Sequence, residues 1–103
     1  MVIDTYELHS KINIPNVDFV NCYFDKDINT RVSVYQLNDE INMDNFKYVD
    51  KNIEKLLQGS KLLKAEELPT GENIYLASGS RWGTNWTMIV DKESNRLWAE
   101  LTY

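Results

Sequence analysis

Histidine and cysteine each occur once in this chain, at His9 and Cys22. One cysteine excludes an intrachain disulfide, and one of each falls short of any Cys/His metal spacing. A nucleophile–base pair would have to rest on these two isolated residues, and a reactive thiol needs a basic neighbourhood, whereas the sequence around Cys22 is apolar and acidic. Cys22 therefore reads as a buried, inert thiol and His9 as structural or solvent-facing. No Gly-rich phosphate loop and no Ser-His-Asp arrangement occurs. No apolar run approaches the length of a membrane span. The N-terminus has neither a basic nor an apolar leader region, which predicts a cytoplasmic protein. Two prolines and four glycines punctuate the chain lightly, with no repeat and no low-complexity segment.

What remains is an ordinary globular composition, 43% hydrophobic and 26% charged, in 103 residues. That length suits one domain, 1–103, with one core. The net charge of −5 is unevenly placed. Residues 1–50 hold nine acids and four bases, whereas 51–103 hold seven of each. A negative domain repels phosphate backbones, so direct nucleic-acid binding is disfavoured. A basic protein partner is the complement.

Alternation and turn residues give the element order. Residues 17–24 and 31–37 read as strands around the turn Asp25-Lys26-Asp27-Ile28-Asn29, an antiparallel hairpin. Residues 2–8 are open between a strand and a short helical turn. Phe46, Val49, Ile53, Leu56 and Leu57 recur at helical spacing and predict one amphipathic helix over 44–58, ended by Gly59. Residues 61–68 are open between helix and strand. Runs at 73–78, 86–91 and 96–102 complete the pattern. The fold class is α+β: an antiparallel sheet of five to six strands with the main helix on one face.

Three motifs are weighed and set aside. Asp25, Asp27 and Asn29 match the first calcium-loop positions, but Thr30 and Gln36 stand where the turn glycine and bidentate glutamate belong. The pairs Asp39-Glu40 and Glu66-Glu67 are adjacent in sequence, which says nothing about convergence in space. Asn85-Trp86-Thr87 is a glycosylation sequon, idle in a cytoplasmic chain. No metal and no cofactor is expected.

Ser78-Gly79-Ser80-Arg81-Trp82-Gly83-Thr84-Asn85-Trp86 is the most informative segment. Trp and Arg are enriched at interface hot spots. Trp86 is in phase with Met88 and Val90 and reads as core. Trp82, with Arg81 beside it, reads as a contact residue. Trp98 shares a face with Arg96 and Glu100; with that face solvated, it is a second exposed anchor.

Asn73-Ile74-Tyr75-Leu76-Ala77-Ser78-Gly79, then 85–91, then 95–101, give strand, Gly-rich loop, strand, polar turn and strand. This third of the chain resembles the C-terminal sheet of SUKH-type immunity proteins, within the broader group that protects bacteria from polymorphic toxins and contact-dependent growth inhibition. The resemblance implies a cytoplasmic protein, not an enzyme, that binds one cognate toxin domain and occludes its active site. A nuclease, with a basic cleft, would suit the acidic half. On that reading Asp25, Asp27, Asp39, Glu40 and Asp44 are charge contacts and Arg81, Trp82 and Trp98 are anchors. The alternatives are a phage-encoded inhibitor or nucleic-acid mimic, and a small-ligand module. A weak homodimer, with Trp98 and Tyr103 at a strand edge, is a further partner.

Overall fold

A computed structural model describes residues 2–50, 55–69 and 72–103. Helix α1 spans Val2–Ser10, and six strands follow: β1 Val17–Asp25, β2 Thr30–Leu37, β3 Lys47–Tyr48, β4 Ile74–Arg81, β5 Thr84–Asp91 and β6 Arg96–Thr102. They form one antiparallel sheet in the order β1-β2-β6-β5-β4-β3. The α+β class expected from the sequence is what the chain forms: mostly sheet, with a single α-helix among the described residues packed against it.

Both faces of the sheet are covered. On one face α1 lays Tyr6 and Ile3 over Tyr35, Leu37, Met88, Val90, Leu97, Ala99 and Leu101. Tyr6 meets Tyr35 edge-on at 6.5 Å, and its hydroxyl bonds the Ser33 hydroxyl at 2.8 Å. That burial pushes the Tyr6 phenol well above its ordinary pKa. On the other face Leu57, Leu63 and the partly buried Leu56, Leu62 and Leu68 pack on Val32, Val34, Ile89 and Trp98. This cover is irregular and, among the described residues, includes short 3-10 turns at Ser60–Leu62 and Ala65–Glu67. An irregular layer leaves backbone N–H groups without helical partners, and buried ones must be satisfied. Two carboxylates do this. Glu100 accepts the Gln58 N–H at 3.0 Å and the Gly59 N–H at 2.6 Å. Glu67 accepts the Lys64 N–H at 2.8 Å and the Tyr23 hydroxyl at 2.6 Å, with the Asn21 amide at 3.2 Å.

The helix predicted over 44–58 does not form across 44–50. Lys47 and Tyr48 are strand β3, paired with Leu76 and Tyr75. The apolar spacing is real, but its residues serve opposite faces. Phe46 is buried under the α1 side, while Val49, Leu56 and Leu57 pack on the other. The chain wraps around the β4 edge, so the apparent stripe is divided between two layers. Residues 51–54, with Ile53 of that stripe, lie outside the described residues. The α-helix sits instead at 2–10.

Trp98 is likewise corrected. It is fully buried, and its indole N–H donates to the Glu67 carbonyl at 2.9 Å. The exposed-anchor reading assumed one solvated face for the last strand. β6 is central and covered on both sides, so Trp98 is a core residue and not an exposed one.

Candidate functional site

Strand directions sort the sequence-predicted contact residues into two ends. The β1–β2 and β4–β5 turns and the end of β6 lie together, since Thr30 pairs with Thr102 and Thr102 with Asn85. Asp25, Asp27, Arg81 and Trp82 therefore share one end of the sheet. The two turns are three strand spacings apart, roughly 14 Å. Asp39 and Glu40 follow β2 and lie at or beyond the opposite end, about 25 Å away at eight residues per strand, whereas Asp44 sits in the turn that leads into β3 on the β4 edge. All three are exposed. Asp39 and Glu40 line an open cleft of about 250 Å³ with Lys92 and Asn95. The acidic half of the sequence is thus not one acidic surface.

The segment read as a flexible loop between strands is a tight hairpin. β4 runs to Arg81 and β5 begins at Thr84, leaving Trp82 and Gly83 as the whole turn. Both have positive φ, +53° and +76°. Two positive φ values in a two-residue hairpin define a type I′ turn, which matches the twist of the flanking strands. Its first position is normally Asn, Asp or Gly, because a Cβ in the left-handed region meets the following carbonyl. A tryptophan there is an observed backbone outlier.

That tryptophan is also 67% exposed. Its ring is nevertheless held. The Arg81 guanidinium stacks 4.0 Å from its centroid, and His9 meets it edge-on at 5.8 Å. Arg81 in turn donates to the Leu8 carbonyl at 2.6 Å, near the C-terminal end of α1. The side chain is large, exposed and pre-positioned, a combination that lowers the ordering cost of binding. Around this end, Leu8, Ile28 and Tyr103 are further exposed apolar side chains. The Tyr103 N–H donates to the Asn29 carbonyl at 3.0 Å, fixing the β1–β2 turn to the segment after β6. Asp25 accepts the Asp27 N–H at 2.8 Å, a turn bond that leaves the Asp27 carboxylate pointing from an exposed position. Strands flank this turn, as read from the sequence, and not the helices of a calcium loop.

The single-residue candidates for chemistry are accounted for by packing. Cys22 is half-buried, where full burial was expected, and its sulfur accepts the Ser33 hydroxyl at 3.2 Å. His9 bonds the Thr5 carbonyl one turn back at 2.9 Å and meets the Trp82 ring at 5.8 Å, and neither contact involves Cys22. Among the described residues no group of three His, Cys, Asp or Glu side chains is placed to hold a metal ion. Nor is any helix among them long and apolar enough to cross a membrane.

Sequence reasoning missed Glu67 and Glu100. Burial pushes the Glu67 carboxyl up, but the bonds from Tyr23, the Lys64 N–H and Asn21 outweigh it, and the net pKa is lowered. The same bond to Glu67 pushes the Tyr23 phenol up to about 12. Glu100 goes the other way, because burial outweighs its two backbone bonds and raises its pKa. An acid alternating with leucines on a strand gives no sign that it will be roofed over. No family model, curated protein or solved structure matches this chain.

Proposed function

We propose that this domain is a protein-binding module that docks through the hairpin end of its sheet, with Trp82 as the anchor. One observation carries the reading: Trp82 is both strained and exposed. A bulky residue in the left-handed region costs of order 1–3 kcal/mol, and strain of this kind concentrates where binding needs it. Nothing in the packing of the core requires a tryptophan at that position. Arg81 and His9 orient the ring, while Asp25 and Asp27 supply negative charge on the same end. Tryptophan and arginine are the residue types that dominate interface energetics.

The partner follows from charge and from the resemblance of the 73–101 segment to immunity proteins. It is a basic toxin domain, of the nuclease kind, whose cleft is occluded by the hairpin tip. Binding at the tip places Asp25 and Asp27 at the rim, where charges set the association rate. Asp39 and Glu40 act at long range only, by their share of the net charge. A phage-encoded inhibitor would use the same surface against a different basic cleft.

The test uses the toxin domain encoded by the gene immediately upstream. Its purified domain is titrated against the wild type, Trp82→Ala, Asp25→Lys/Asp27→Lys and Asp39→Lys/Glu40→Lys. Trp82→Ala weakens binding by about 30-fold or more, the size of a hot spot. The Asp25/Asp27 reversal slows association and flattens its salt dependence more than the Asp39/Glu40 reversal does. An unchanged Kd for Trp82→Ala, or the larger rate effect at Asp39 and Glu40, overturns the assignment of this end.

A further inference from the structure

The sheet has two edges, and they are treated differently. On the β1 edge the register shifts between Phe19 and Asn21, and the Asn21 carboxamide oxygen takes the Cys22 N–H at 2.9 Å. A bulge and a side chain that consumes an edge donor are devices that block strand addition. Among the described residues, the opposite edge is protected only at its β3 end, and β4 has no register shift. β3 is two residues long and covers β4 only at Tyr75 and Leu76. The chain leaves this edge because a turn closes there, with the Phe46 N–H on the Met43 carbonyl at 2.9 Å, and Phe46 enters the core. Among the described residues, no strand lies beside 77–81 of β4 on this outer side.

The direction of their backbone groups follows from the turn. In a two-residue hairpin Arg81 and Thr84 are the closing hydrogen-bonded pair, so alternate residues bond inward to β5. Ser80, Ser78, Leu76 and Ile74 therefore aim their N–H and C=O outward. The Ile74 carbonyl shows this parity, since it accepts the Val49 N–H from the β3 side at 3.0 Å. Leu76 faces Lys47. Ser78 and Ser80 face solvent, in a Ser-Gly-Ser run that is exposed and carries neither charge nor proline.

We infer that this edge pairs with the same edge of a second copy, antiparallel, about a two-fold axis at Gly79. The open stretch 77–81 is centred on Gly79, and the outward residues lie symmetrically about it. Ser78 of each copy then faces Ser80 of the other. Each copy presents two N–H and two C=O groups, and the pairing satisfies all of them with four hydrogen bonds. The contact is isologous: the same patch serves both copies, and each residue pair occurs twice. Arg81 falls opposite Ala77, so no like charges meet. The pairing stops where it must, because Lys47 already occupies the edge at Leu76, level with the other copy's Trp82. Few side chains join the seam, so the dimer is weak and concentration-dependent. The inference does not depend on the toxin-binding reading, and the protein alone tests it.

The experiment is sedimentation equilibrium of the full chain from about 20 µM to about 1 mM, with amide hydrogen exchange at both limits. The weight-average mass rises from 12.1 kDa toward twice that value, and the Ser78 and Ser80 amides are slowed only at the high limit. Ser80→Pro removes an outward N–H that has no partner within the chain, so it keeps the fold and loses the dimer. Ser78→Lys, which places a charge on the seam, serves as the second variant should proline disturb the strand. A mass that stays at 12.1 kDa across the range overturns the inference. So does a dimer whose protected amides lie elsewhere, for example on β1, or one that survives both substitutions.

Discussion

Removing the Glu100 carboxylate should strip the irregular layer from the sheet. The side chain is 2% exposed, and its two oxygens accept the Gln58 and Gly59 N–H groups. Those bonds fix the stretch that carries Leu57 onto Trp98 and Ile89. Glu100→Ala leaves two amides without acceptors, at about 1–3 kcal/mol each. Against this, the variant no longer holds a carboxylate where burial disfavours its charge. The net cost is about 2–4 kcal/mol, a large part of the 5–15 kcal/mol typical of a domain. Glu100→Gln keeps one acceptor but turns an NH2 toward an N–H, and costs about 1–2 kcal/mol.

Urea unfolding at neutral pH measures both, with the slope m reporting whether the transition stays two-state. The pH dependence gives an independent sign. The folded-state pKa of Glu100 is raised, so the folded chain holds its proton over a window starting at the ordinary value of 4.5 and extending upward. Stability from this group is complete below that window and is lost as pH rises through the folded pKa. The advantage of wild type over Glu100→Gln therefore shrinks with rising pH. An advantage that grows with pH, or an alanine variant costing less than about 0.5 kcal/mol, refutes the account of how this layer is held.

Trp82→Asn relieves the left-handed backbone of about 1–2 kcal/mol of strain and forfeits about 0.5–1 kcal/mol of cation–π contact, so the urea midpoint holds or rises. The same variant should lose partner binding, which separates stability from function at one position. Tyr23→Phe removes the shortest bond to Glu67; the lowered Glu67 pKa stabilises the fold above the ordinary carboxylate range, so the acid-unfolding midpoint moves to higher pH. On the alkaline side, wild type loses stability between 10.0 and about 12 as Tyr23 ionises, and absorbance at the phenolate band shows one fewer late-titrating tyrosine in the variant. Gly79→Ala places a Cβ 2.8 Å from the Trp86 ring, which must shift; the cost is about 1–3 kcal/mol, with a changed near-ultraviolet tryptophan signal.

β1, β2, β5 and β6 were legible as short runs rich in apolar, β-branched and aromatic residues bounded by polar turns. Hairpins were legible where polar turns separate such runs. α1 was not, since Tyr6 and Ile3 are its main core contacts and two residues do not make a stripe. The stripe over 44–58 misled because periodicity reports spacing and not which layer each residue enters. Trp98 misled for a related reason. Arg96, Glu100 and Thr102 on its face imitate a solvated surface, yet Glu100 is polar there because backbone amides need it. Trp82 was legible as a contact by residue type and by the adjacent glycine. Its strain was not, since Trp-Gly carries no recognised turn signature.

The place of β6 in the sheet has a consequence for synthesis. It lies between β2 and β5, although it is translated after both. Until residues 96–102 leave the ribosome, the β1–β2 hairpin and the β4–β5 hairpin have nothing between them. The nascent chain therefore emerges as two separate pieces whose apolar faces await the same late strand. A frameshift or stop codon before Arg96 would delete the seam that joins them and release two incomplete half-sheets in place of a trimmed domain.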